Sequence, residues 1–135
     1  MSSQYSFVFY SLELAVRYGN NNNESYDDIS CYVHVALERA RKLTCIKAAR
    51  TAHLRIVDTL LETMCDTCHN LNWRIQCHRY LKKLMPLMFE ILDATSYSHK
   101  VQEIDTLFTF FISDEKSKQS VNKHPHQVHS YLTKK

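Results

Sequence analysis

The chain has 135 residues, 44% hydrophobic and 23% charged, with one Gly and two Pro, a composition that suits one globular domain. Seventeen Lys and Arg against fourteen Asp and Glu leave a formal charge of +3, too mild for a protein that wraps polyanions over its whole surface. A single Gly excludes the Gly-rich phosphate loops of P-loop and dinucleotide enzymes, and the scarcity of Gly and Pro argues against a many-turned β barrel or sandwich.

Residues 5–17 (YSFVFYSLELAVR) are apolar on nearly every face. Tyr5 to Tyr10 alone would suit a short strand, but Leu12 to Val16 favour helix, and the pattern predicts a buried first helix. It ends at Gly19, before Asn20 to Asn23, residues that prefer turns. No basic segment precedes the apolar run and Ser, Tyr and Glu interrupt it, so no secretory signal is expected there.

Ser25 and Asp28 match a capping box with Asp in place of Glu or Gln, and Ile29, Val33, Ala36, Leu37, Ala40 and Leu43 then recur at helical spacing. A third row, Ile46, Ala49, His53, Ile56, Leu60 and Met64, follows Thr44 with a shifted phase, which fits either two helices or one bent helix. The string CDTCHN at 65–70 breaks the pattern, and Leu71, Ile75, His78, Leu81, Leu84 and Met85 form the next stripe. Pro86 lacks an amide donor, so a kink or a new short apolar segment over 86–93 is expected. Val101, Ile104, Leu107, Phe108, Phe111 and Ile112 mark a last helix, with Ser96 or Ser98 as candidate caps. The result is an all-α fold, a compact bundle of five or six helices over residues 1–113. Residues 114–135 are polar and rich in His and Lys, with too little apolar area to offset ordering, so they are expected to form a flexible C-terminal tail.

The sharpest chemical signal is Cys65-x-x-Cys68-His69, followed by Cys77-His78. Thiolate and imidazole donors are those tetrahedral zinc selects, and C-x-x-C is a common half-site. Cys77 and His78, however, point about 100° apart on a helix, and a helical hairpin would leave Cys77 roughly 7 to 8 Å out of register with Cys65. Small thiols packed in a helical core are therefore the leading reading, and zinc the lesser one. With no other cofactor signal, none besides zinc is expected. The c-type haem signature CDTCH needs export to an oxidising compartment and is set aside. His124, His126 and His129 can pick up transition metals only weakly from a mobile segment. Five cysteines lie in helical sequence rather than in a loop-spaced framework, which fits reduced thiols in cytoplasm.

Charge is segregated. Residues 39–89 hold ten Lys or Arg against three acids, a local +7 that leaves −4 to the rest. Arg39, Lys42, Lys47, Arg50, Arg74, Arg79, Lys82 and Lys83 are the residues that would contact RNA phosphates, duplex shape suiting long helices better than base reading. The competing reading, and the favoured one, is a solvated outer face, because aromatic residues are not interleaved with the cations. No nucleophile, base and orienting group are tied together by spacing: His34, His53, Cys31 and Cys45 sit near apolar stripes, and Asp27 with Asp28 suit a helix N-terminus. No enzyme is expected.

The last feature is surplus apolar surface. The first helix, the run LMPLMFEIL at 84–92 and the run LFTFFI at 107–112 carry more greasy circumference than one small bundle hides, unless the first helix is fully buried. Phe7, Phe9, Leu84, Met88, Phe89, Phe108 and Phe111 are the candidate oligomer interface. No run is long enough to span a membrane.

With its Asn run, its many Tyr, Cys and His and its single Gly, the chain resembles the small orphan all-helical accessory proteins of plant RNA viruses, the cileviruses. The resemblance implies a virus-encoded, non-enzymatic factor acting in the host cytoplasm, and it brings no functional residues with it. The expected function is an interaction protein that self-associates and binds host or viral proteins. An RNA binder of the silencing-suppressor kind and a zinc-stabilised module are the alternatives.

Overall fold

Each amphipathic row of the sequence becomes a helix, and short polar turns join most of them. In the computed structural model, which describes residues 2–19 and 27–113, these are α1 (Ser2–Tyr18), α2 (Asp27–Arg41), α3 (Ile46–Met64), α4 (Leu71–Ile91) and α5 (Ala94–Phe108), the last running into a π-helical turn over Thr109–Ser113. No strand occurs among the described residues. The fold is an all-α bundle of five helices. The Ser25 cap and the polar tail over 114–135, with His124, His126 and His129, lie outside the described residues.

The turns follow from local chemistry. At Gly19 (φ +68°) the chain enters the left-handed region, and its amide caps the Ala15 carbonyl at 2.7 Å. Residues 42–45 separate α2 from α3, so these are two helices and not one bent helix. Asn70 caps α4 by accepting the Trp73 amide at 2.8 Å. Asp93 occupies the cap position of α5, a place the sequence pattern assigned to Ser96 or Ser98.

Of the two outcomes expected at Pro86, a kink or a new apolar segment, the second does not occur. The residue lies inside α4, which runs unbroken to Ile91, so 86–93 is not a separate segment. Pro86 is exposed, and its missing donor falls on the solvent side, where water can satisfy the orphaned carbonyl one turn back.

One contiguous core joins all five helices, with Val16, Ile29, Tyr32, Ile56, Leu60 and Met88 among its buried members. α1 packs on both α2 and α3, α3 on α4, and α4 on α5. The inner face of α4 is Leu71, Arg74, Cys77, Leu81, Leu84 and Met88, rotated from the predicted stripe, so Ile75 and His78 lie at its margin. α1 is not the buried central helix that its composition suggested: Phe9, Glu13 and Val16 face the core, while Phe7, Val8, Tyr10, Leu14 and Tyr18 face solvent.

Candidate functional site

α1 carries one acid, Glu13, on its core-facing side, and that side chain organises a polar junction among three helices. Arg55 of α3 grips it with two bonds, Nε to Oε2 at 2.9 Å and Nη2 to Oε1 at 2.6 Å. The Tyr32 hydroxyl of α2 donates to Oε2 at 3.0 Å. Thr59 lies within 3.4 Å of the same oxygen and accepts from Arg17 Nη2 at 3.0 Å, while Arg17 Nη1 pairs with Glu62. Burial alone would raise the Glu13 carboxyl, but hydrogen bonds from Arg55 and Tyr32 and the charges of Arg55 and Arg17 outweigh it and hold the group below its ordinary range. Burial, reinforced by the neighbouring carboxylate, raises the Tyr32 phenol. A carboxylate this fully bonded is a poor general base, and its bonds tie α1 to α2 and α3.

The guanidinium groups of Arg39 and Arg55 flank the Phe9 ring at 4.4 and 5.0 Å from its centroid. Arg39 is thereby occupied inside the fold, which weakens its assignment as a phosphate contact. Arg74 overturns its assignment outright. It is fully buried, donating Nε to the Met64 carbonyl at 2.9 Å and Nη2 to the Phe111 carbonyl at 3.1 Å. Its charge thus serves the C-terminal ends of α3 and of the π-helical turn, where carbonyls lack intrahelical partners. The remaining cations form two exposed groups, Lys42, Lys47 and Arg50 around the α2–α3 turn, and Arg79, Lys82 and Lys83 on α4, with Lys83 over the Tyr80 ring.

The proposed zinc ligands do not assemble. Among the described residues no three His, Cys, Asp or Glu side chains converge to hold a metal ion. Cys77 is buried on the core face of α4, and burial pushes its thiol up to about 12. His78 stacks on Phe108 at 3.8 Å between centroids. Cys65 ends α3 and Cys68 is exposed in the turn. His69 turns toward α1, its Nε2 on the Arg17 carbonyl at 2.5 Å and its ring stacked near Trp73, whose indole donates to the Val16 carbonyl at 3.1 Å. The turn that sequence spacing offered as a metal half-site is a cap for the end of α1. The core-thiol reading holds for Cys77 and in part for Cys65, whereas Cys31, Cys45 and Cys68 are exposed.

The predicted interface divides. Phe7 and Phe89 are 72% and 67% exposed, and Phe108 and Phe111 are half-buried. Phe9, Leu84 and Met88 are buried within one copy and cannot form a docking surface. Phe9 lies about 200° around the helix from Phe7, and Leu84 and Met88 share the inner face of α4. In their place the structure supplies Val8, Tyr10, Leu14 and Tyr18, all exposed, which the sequence reading did not single out because it treated α1 as uniform. The spacing of Phe7, Tyr10, Leu14 and Tyr18 carries that signal. At 100° per residue they fall within about 80° of arc, opposite Phe9, Glu13 and Val16.

At one end of the bundle the α2–α3 and α4–α5 turns come together. The Asp93 carboxyl is lowered first by the Ser96 hydroxyl beside it and also by the nearby charge of Arg50. The recesses described are shallow, one running along the outer side of α5 past Ser96, His99, Glu103 and Leu107. The distinctive features are therefore surfaces rather than a cleft. Compared with known proteins, the chain matches no protein-family model, no curated protein and no solved structure. No described helix is long and apolar enough to cross a membrane.

Proposed function

We propose that this is a non-enzymatic interaction protein that self-associates through the outer face of α1 and, so assembled, binds other proteins. The observation that carries the reading is the stripe Phe7, Tyr10, Leu14 and Tyr18 with Val8 at its edge, all exposed. Ser11 and Ala15 complete a face without a charged residue. Polar side chains would serve a solvated helix there. The opposite side of α1 is already packed, and Tyr10 meets it at the edge of the stripe, its ring edge-on to Phe9 at 5.2 Å and beneath the Arg55 guanidinium, while Phe7, Leu14 and Tyr18 keep most of their surface exposed.

A second copy suits it in size and symmetry. The exposed parts of these five side chains amount to roughly 550 Å², and two copies together would pass the roughly 1,000 Å² that a specific interface needs. Their order is close to symmetric about the middle of the stripe, so antiparallel α1 helices set Phe7 against Tyr18 of the partner subunit and Tyr10 against Leu14 of the partner subunit, an isologous contact. The resemblance to cilevirus accessory proteins supports a viral setting, in which the assembled protein would engage host or viral partners in the cytoplasm.

Sedimentation velocity at tens of micromolar tests the reading, comparing the wild type with Leu14→Glu. A dimer or larger species that Leu14→Glu converts to a helical monomer is expected. A monomeric wild type, or an assembly indifferent to Leu14→Glu and Phe7→Glu, would overturn it.

A further inference from the structure

The α2–α3 turn has a composition that its place in the fold does not require. Residues 41–48 are all exposed. They include Leu43 at 38% and Ile46 at 76% exposure. Ile46 is the first residue of α3, behind a Cys45 cap whose side chain makes no capping bond. A helix start accepts almost any residue and prefers acidic ones, so nothing local calls for a bare isoleucine. Around these two aliphatic side chains stand Arg41, Lys42, Lys47 and Arg50, and no acid occurs between Glu38 and Asp58. Part of this charge is offset, since Glu38 pairs with Arg41 at 3.0 Å, Asp93 lies near Arg50, and Lys42 has an interaction of its own.

We infer that the α2–α3 turn is a docking surface for an anionic lipid bilayer, with Arg41, Lys42, Lys47 and Arg50 at the headgroups and Leu43 and Ile46 entering the acyl boundary. Cations ringing protruding aliphatic residues match both layers of such a surface, negative headgroups outside and hydrocarbon just beneath. A nucleic acid fits less well. It would satisfy the cations, but residues 39–50 contain no aromatic ring on which a base could stack, and Ile46 would be desolvated against phosphate without return. The surface uses none of the α1 stripe residues, so the inference does not rest on self-association.

Vesicle flotation with the full chain tests it. Phosphatidylcholine vesicles are compared with vesicles containing about one third phosphatidylserine. The protein is expected to float with the phosphatidylserine vesicles and not with phosphatidylcholine alone. Ile46→Asp and Lys47→Glu should each weaken partitioning about tenfold while keeping wild-type helicity by circular dichroism. Leu14→Glu should leave partitioning within about twofold of wild type, or within the loss expected from halving the number of docked turns if a dimer dissociates. Binding to neither vesicle, or equally to both, overturns the inference. So does a shift of duplex RNA that Lys47→Glu abolishes and Ile46→Asp spares, combined with lipid binding indifferent to both, which would make the turn a nucleic-acid surface. Loss of lipid binding in Leu14→Glu with Ile46→Asp unaffected would place any membrane contact on α1 instead.

Discussion

Glu13 and Arg55 form a two-bonded ion pair whose halves live in different surroundings: the carboxylate side chain is 8% exposed and the guanidinium side chain 39%. Removing one partner is therefore not equivalent to removing the other. Without Glu13, Arg55 can rehydrate from the solvent side. Without Arg55, a buried carboxylate keeps the Tyr32 and Thr59 hydroxyls and the charge of Arg17 but loses its two-bonded partner, and an under-compensated buried charge is the costlier outcome.

Urea unfolding at neutral pH should accordingly rank Arg55→Met, at about 3 kcal/mol, as more damaging than Glu13→Gln, at about 1 to 2 kcal/mol. The double variant Glu13→Leu with Arg55→Met should cost less than the two single changes added together, because neither charge is left behind. The opposite ranking of the single variants would mean that burial of Glu13 is not what sets the cost.

The same pair sets an acid limit. The folded Glu13 carboxyl lies below its ordinary value of 4.5 because donors and positive charges outweigh its burial. The stability it contributes is thus complete above about pH 4.5 and declines as pH falls through the folded value. Stability measured from pH 6 downward should fall less steeply in Glu13→Gln than in the wild type, after the difference at neutral pH is subtracted. Parallel curves would remove Glu13 from the acid response.

Arg74 ties three elements together from the interior, so its loss should be felt more than that of any exposed cation. Arg74→Met leaves the Met64 and Phe111 carbonyls without that donor and is expected to cost about 2 to 4 kcal/mol. Arg74→Lys should recover little, since one ammonium cannot reproduce a fork that reaches two carbonyls. By contrast Lys47→Glu and Arg79→Glu should change stability by less than about 0.5 kcal/mol. Chemical denaturation of the four variants side by side makes the comparison.

Thiol chemistry reports the same inside and outside. Cys31, Cys45 and Cys68 are exposed, whereas Cys77 is buried with its thiol raised to about 12. Iodoacetamide at pH 8 should label the three exposed thiols under native conditions, Cys65 more slowly, since burial raises its thiol as well, and Cys77 only on unfolding. Peptide mapping of the labelled protein reads the order directly. Prompt native labelling of Cys77 would contradict the packing of α4.

Most of the helical architecture was legible from spacing alone, because rows such as Ile29, Val33, Ala36 and Ala40 have a single phase that can face a core. Where a helix was apolar all round, as in α1, hydropathy held no information about which side would pack, and Phe9 was grouped with Phe7 although they face opposite ways. Polar interior residues were missed for a related reason. Glu13 and Arg74 break an apolar pattern, and a pattern reading sends such residues to the surface, whereas partners 42 and 10 residues away hold them inside. Cys65, Cys68 and His69 show the reverse error. Their spacing suggested a ligand set, but His69 is aimed at a carbonyl 52 residues back, a destination no local motif encodes.

That destination leaves Gly19 little room for change. Its φ of +68° penalises any side chain, and a Cβ there would meet the His69 ring at 3.0 Å. The ring cannot simply yield, being held by the Arg17 carbonyl and stacked near Trp73. Gly19→Ala should therefore cost about 2 kcal/mol, roughly 1 kcal/mol from the backbone and the rest from the crowded ring. In a His69→Ala background only the backbone share remains, so the same change should cost about 1 kcal/mol there. A double-mutant cycle of thermal or urea unfolding measures the difference, and strict additivity would mean that His69 does not press on the end of α1.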